Sequence, residues 1–179
     1  PEQIDYSAFD LLGYPEWGLT EGTNLFTVSL KLPQPNSLDP ELIEKLLQPL
    51  GNIIQTIKEQ SDRPPKDVLV LGTEECMAPA ILTGTHVIDF KLSENVRVHA
   101  TTRRRIDCTD KNEHYPLQNG HWLPSVYGNY DTYLYDLASY ETFIIVSDAD
   151  PASPGVTALW NLLSLYGATP DKTYYIHIQ

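Results

Sequence analysis

Basic residues are scarce in this chain: twelve Lys and Arg stand against twenty-four Asp and Glu, a formal net charge of −12. Nonspecific binding to duplex nucleic acid depends on neutralising phosphates with Lys and Arg, so this balance argues against it. Cysteine is scarcer still. Cys76 and Cys108 allow one disulfide at most, and two reduced thiols are the simpler expectation. Neither lies in a CxxC and the five histidines have no HxxxH-type spacing, which argues against a structural zinc site. Long apolar runs are missing too. None approaches the ~20 residues that span a bilayer, and the longest uncharged stretch, Pro151–Pro170, is broken by Ser, Asn, Thr, Gly and Pro. The opening residues Pro1-Glu2-Gln3-Ile4-Asp5 lack the basic-then-apolar profile of a secretory signal, so a cytoplasmic protein is expected. A first residue of Pro leaves two readings open, a removed initiator or one part of a longer chain.

What is present suffices for a folded domain. The 179 residues are 41% hydrophobic, enough for a single domain with its own core. Residues 1–24 carry Gly, Pro and acids around Tyr6, Phe9, Tyr14 and Trp17, expected to lie as an arm across the body. Asn24–Lys31 alternates apolar and polar, the pattern of a half-buried strand. From Pro40, with Asp39 placed to cap it, Leu42, Ile43, Leu46, Leu47, Leu50, Ile53, Ile54 and Ile57 recur at helical spacing. Pro49 should kink or split that helix.

The texture changes after Pro64-Pro65. Asp67–Leu71 is a short unbroken apolar strand of the kind buried on both faces of a parallel sheet. A helix over Glu74–Gly84 should follow it. Asn95–Ala100 reads as a second strand, running into Thr101-Thr102-Arg103-Arg104-Arg105. Residues 106–140 read as an irregular aromatic insert, either a cover over a site or a packing cluster. Thr142–Val146 is a third buried strand, Val156–Tyr166 a helix stopped by Gly167, and Lys172–Ile178 a last strand. Strand–helix–strand order, twice over, predicts an α/β fold with a doubly wound, mostly parallel, Rossmann-like sheet. Residues 1–60 would supply the N-terminal arm, a strand and a packing helix, and residues 61–179 the α/β core.

In open sheets of this kind ligands bind beyond the carboxyl ends of the strands. Three segments should meet there: Thr73–Pro79, Thr101–Arg105 and Asp148–Thr157. In the last, a buried strand delivers Asp148 and Asp150, and a loop of small residues opens a helix. Two carboxylates suit the hydroxyls of a ribose; loop amides with Ser153, Gly155 and Thr157 suit its 5-phosphate at the positive end of the helix. The arginine cluster is equally an anion site or a solvated turn. Glu74 and Glu75 could bind Mg²⁺ through oxygen or simply cap a helix. Cys76, at a strand-to-helix turn, is read as a buried structural thiol in preference to a nucleophile. His114, His121 and the insert's tyrosines could stack a base, but packing is the simpler role.

Phe143–Thr157 resembles the ribose-phosphate-binding motif of type I phosphoribosyltransferases, though Asp148 and Asp150 are separated by Ala149. In order along the chain, Gly72–Pro79 is similar to the pyrophosphate-binding turn of those enzymes, and Thr101–Arg105 to a second ligand-facing loop. Val70–Glu75, Thr101-Thr102-Arg103 and Tyr133–Leu137 together are similar to the TRSP domain, a family found attached to phosphoribosyltransferase domains in tellurite-resistance gene clusters. The family is named for Thr-Arg-Ser-Pro, and Arg104 and Arg105 stand here in place of Ser-Pro. The likeness covers roughly residues 66–179. It implies a phosphoribosyltransferase-like fold that binds a phosphorylated ribose, as phosphoribosyl pyrophosphate with Mg²⁺ or as a nucleotide. Thr73, Glu74, Glu75 and Arg103 would hold the pyrophosphate, with Thr101, Thr102 and Arg104 also facing the ligand; Asp148 and Asp150 would take the ribose, and Ser153, Gly155 and Thr157 its 5-phosphate. No catalytic residue is assigned. The resemblance leaves two functions open: transfer of phosphoribosyl to a base, or a non-catalytic accessory role beside a partner phosphoribosyltransferase domain.

Overall fold

The computed structural model describes residues 24–30, 40–106, 117, 119–128 and 130–179. The aromatic arm, the Asp39 cap, Cys108 and His114 fall outside them. The elements in chain order are β1 (Leu25–Val28), α1 (Pro40–Gln60), β2 (Asp67–Gly72), α2 (Met77–Asp89), β3 (Asn95–Ala100), β4 (His121–Pro124), β5 (Asp131–Leu134), β6 (Thr142–Ser147), α3 (Pro154–Ser164) and β7 (Thr173–Ile178). Five strands form one sheet in the order β1-β7-β6-β2-β3, and every neighbouring pair is parallel.

The period-two rule explains how this sheet is covered. Val68, Val70, Ile144, Val146, Tyr174 and Ile176 face α1 and α2, where they meet Leu46, Leu50, Ile54, Ile57, Ala80 and Val87. Their alternates Leu69, Leu71, Phe143, Ile145 and Tyr175 face α3, against Val156, Leu159, Trp160 and Leu163. Both central strands therefore read as unbroken apolar runs, as two-sided burial demands. Each such side chain contributes roughly 1.5–3 kcal/mol on burial. β1 lies in the same sheet and α1 in the same core, so both belong to one domain with the rest. None of the helices among the described residues is long and apolar enough to cross a membrane.

Three local expectations change. Of the two outcomes expected at Pro49, the split does not occur: α1 runs through it as one helix, with Leu46, Leu50, Ile53, Ile54 and Ile57 on both sides packed into one cluster. The helix after β2 is longer than Glu74–Gly84: a tight turn over Glu74–Cys76 leads into α2, which continues to Asp89. The aromatic insert is not wholly irregular, since β4 and β5 pair as an antiparallel hairpin, with Leu123 and Leu134 in the α3-side core.

Connections from β2 lead outward to β3, and those from β6 lead the other way to β7. The carboxyl ends of β2 and β6 therefore sit side by side at the topological switch point, where open sheets leave a crevice.

Candidate functional site at the strand ends

The two central strand ends are stitched together. Thr73 N–H donates to the Val146 carbonyl at 3.0 Å, and its buried hydroxyl donates to Ser147 Oγ at 2.6 Å. Ser147 Oγ also accepts the Ala149 N–H at 3.1 Å, which fixes the start of the acidic loop.

Glu74 follows with φ of 44°, a left-handed conformation uncommon for a residue with a side chain. Its N–H donates to Thr101 Oγ1 at 2.8 Å, so the end of β3 holds the turn in place. The strained backbone sends the Glu74 carboxylate sideways to the turn between β4 and β5. There it accepts the Val126 N–H at 3.0 Å, the Ser125 hydroxyl at 3.2 Å and the Tyr130 hydroxyl. The Arg103 guanidinium lies 3.8 Å from the centroid of the Tyr130 ring, donates to its hydroxyl, and sits 3.5 Å from Glu75 Oε1. Thr102 exchanges backbone hydrogen bonds of 2.9 and 2.7 Å with Tyr133, tying the hairpin to the end of β3. Arg104 is exposed, and its backbone N–H donates to Thr102 Oγ1.

Across the switch point, Asp148 Oδ1 accepts the Tyr127 hydroxyl at 2.5 Å. Asp150 turns back on its own loop and accepts the Ala152 N–H at 2.8 Å. Ser153 caps α3, its hydroxyl accepting the Val156 N–H at 3.3 Å, while Thr157 donates its N–H and hydroxyl to the Ser153 carbonyl. Pro151 and Pro154 have no N–H to offer. Gly155 is buried under the hairpin turn: a Cβ there would lie 2.2 Å from the Ser125 carbonyl oxygen and 2.6 Å from Val126 Cα. Only a glycine admits backbone that close. The first turn of α3 is thus capped from outside by this chain's own backbone.

Burial, and after it the nearby Asp148 carboxylate, pushes the Cys76 thiol well above its ordinary range, which favours the protonated form. Burial and the bond to Asp148 push the Tyr127 hydroxyl up in the same way, keeping it a donor. Tyr130 is raised by burial and by its bond to Glu74. Among the described residues no three His, Cys, Asp or Glu side chains group to hold a metal ion. With Glu74 committed to three donors, these residues by themselves do not fit a resident Mg²⁺.

Two sets of the expected residues form. Thr73, Glu74, Glu75, Thr101, Thr102 and Arg103 meet at the ends of β2 and β3, with Arg104 exposed at their rim. Asp148, Asp150, Ser153, Gly155 and Thr157 line the loop into α3. Ser125, Val126, Tyr127 and Tyr130 join the two sets, and the sequence reading missed them as a unit. The available signal was Gly128, at φ of 75° between two short apolar–polar runs.

Residues 37–163 match the model of a family described as "TRSP domain C terminus to PRTase_2". The chain belongs to the TRSP domain family. No curated protein matches this TRSP domain. Among solved structures it is similar to the APRTase from Giardia lamblia complexed with 9-deazaadenine, at 12% identity over 77% of this chain and 67% of that one, with a TM-score of 0.45. It is also similar to the adenine phosphoribosyltransferase from Thermoanaerobacter pseudethanolicus, at 12% identity over 78% of this chain and 73% of that one, with a TM-score of 0.41.

Proposed function

We propose that this TRSP domain is a non-catalytic accessory domain that serves a phosphoribosyltransferase domain, with its own strand-end site closed by its own hairpin turn. The seating of Ser125 and Val126 on Gly155 carries this reading. A phosphate at a helix start needs free amides and the positive end of the helix. Here the Ala152 and Val156 amides are spent inside the loop, two positions are proline, and Gly155 is covered. The carboxylates that would take ribose hydroxyls accept from Tyr127 and Ala152 instead. The partner follows from the family description, which sets the domain C-terminal to a phosphoribosyltransferase domain.

One observation favours a second reading at the same edge. Glu75 and Asp148 remain partly exposed and Arg103 exposed, beside the switch point. If the turn swings away, Asp148 and Asp150 reach a ribose, and Ser153, Gly155 and Thr157 its phosphate. Thr73, Glu74, Glu75, Thr101, Thr102, Arg103 and Arg104 then border the pyrophosphate. Mg²⁺ would arrive with phosphoribosyl pyrophosphate, and the domain would contribute position and charge to an oxocarbenium-like ribose.

Calorimetric titration with phosphoribosyl pyrophosphate and Mg²⁺ separates the two. The closed-site reading expects no heat, together with co-elution of this domain and a separately produced PRTase_2-type domain. Micromolar binding that disappears in Asp148→Asn/Asp150→Asn would overturn it in favour of the ligand site.

A further inference from the structure

Among the described residues, an open strand and an apolar helix stripe meet at the β3 edge of the sheet. The Thr101 N–H points inward to the Gly72 carbonyl of β2, while Thr102 bonds outward to Tyr133. Alternation along the strand then turns the N–H and C=O groups of Val96, Val98 and Ala100 outward, and no described residue pairs with them. Beside this edge runs the outer face of α2. Met77, Ile81 and Ile88, at helical spacing, are 52%, 50% and 55% exposed, and Val98 is 39% exposed on the same side of the sheet. Gly84 sits in the middle of the stripe, so close to Val98 that a Cβ would lie 2.6 Å from its Cγ2. An open strand edge beside an exposed apolar stripe is what folded chains ordinarily cover or blunt.

Charge indicates what covers it. Exposed Asp89 and Glu94 lie at the N-terminal end of β3, and exposed Arg104 lies just past its C-terminal end. The rest of the molecule is strongly acidic. An antiparallel neighbour with the same sequence would bring the Arg104 end of one copy to the Glu94 end of the other, twice. A parallel neighbour would oppose like charges at each end.

We propose that two copies of this chain associate about a two-fold axis beside Val98. Antiparallel pairing of their β3 edges continues the sheet across the dimer and brings the two Met77–Ile81–Ile88 stripes together on one face. This is an isologous contact in which one patch is its own complement. In it Val98 faces Val98 of the partner, and Val96 faces the partner's Ala100. Arg97 and His99 lie on the other face, beside Asp136 of their own chain. The inference does not depend on whether the strand-end site binds a ligand: the β3 edge and the outer face of α2 lie outside that site, and the contact shares with it only Arg104 at the rim.

Sedimentation equilibrium of the whole chain from 1 to about 100 µM tests it. A reversible dimer is expected. Ile81→Glu should weaken association at least tenfold while leaving the circular dichroism spectrum unchanged. Glu94→Arg and Arg104→Glu should each weaken it several-fold, and the double variant should recover the wild-type constant, since the swapped charges again oppose their opposites. A monomer throughout the range would overturn the proposal. So would a dimer that ignores all three single changes, or a double variant no tighter than the singles.

Discussion

Replacing Gly155 with Ala is the sharpest perturbation the site offers. An added Cβ would lie 2.2 Å from a backbone carbonyl oxygen and 2.6 Å from a Cα, and neither atom belongs to a flexible side chain that can swing aside. Overpacking of this kind costs about 1–3 kcal/mol. If the turn lifts off instead, Glu74 loses its bonds from Val126 and Ser125, at about 1 kcal/mol each. Against this, Ala gains up to about 1 kcal/mol over Gly as a helix former. The balance is a loss of about 1–2 kcal/mol, or a Tm lower by roughly 2–8 °C in a domain of this size. Thermal unfolding by circular dichroism reads it, with limited proteolysis between residues 125 and 130 to show whether the turn has been unseated. A Tm unchanged or raised would mean that only the helix propensity was felt. The turn would then not sit on α3, and the closed-site reading would lose its main support.

Two further outcomes follow from the buried groups. In a Cys108→Ser background, Cys76 should resist an aromatic disulfide reagent at pH 8 for as long as the chain stays folded and react at once in denaturant, because burial raises its thiol far above that pH; rapid reaction of the native protein would contradict the packing. His99 and His121 are both held below the ordinary imidazole range by burial. The unfolded chain therefore takes up protons that the folded one refuses, and stability should fall as pH drops from about 6.5 through the folded pKa values. Urea midpoints measured from pH 7.5 to 5 should show a smaller decline in His99→Gln than in the wild type, and an equal decline would exclude His99 as a source.

Much of this molecule is readable from local pattern. Val68–Leu71 and Phe143–Val146 announce themselves as doubly buried strands because nothing polar interrupts them, and the face of α1 follows from its spacing. The same strand ends bring together the two sets of polar residues that the sequence places beyond the sheet. What escapes is contact between distant segments. Val126 and Gly155 are ordinary in their own neighbourhoods, and only the fold makes one the lid of the other. The hairpin is hidden for a related reason. Its strands have four residues each, too short to establish a period, and its tie to the sheet depends on Thr102 meeting Tyr133, thirty-one residues further on. Glu74 was legible as an acid at a useful place but not as the ligand of a backbone amide, because that use requires its unusual φ.

The pairing of β1 with β7 has a consequence for how the chain is made. Leu25 lies beside Tyr175 and Val28 beside Ile178, and the Gln179 N–H donates to the Val28 carbonyl. Among the described strands, β1 is thus made before the others and must wait for the last of them, β7. At about 5–20 residues per second, some 8–30 s separate the synthesis of the two partners. During that interval β2, β3 and β6 can already form the centre of the sheet, while β7's place beside β6 stays empty and β1 waits with no strand to join. The sheet closes like a clasp, its two halves supplied by stretches of chain about 150 residues apart. Asn24 is thereby held beside Tyr175 at one end of β7, and Leu30 beside Gln179 at the other.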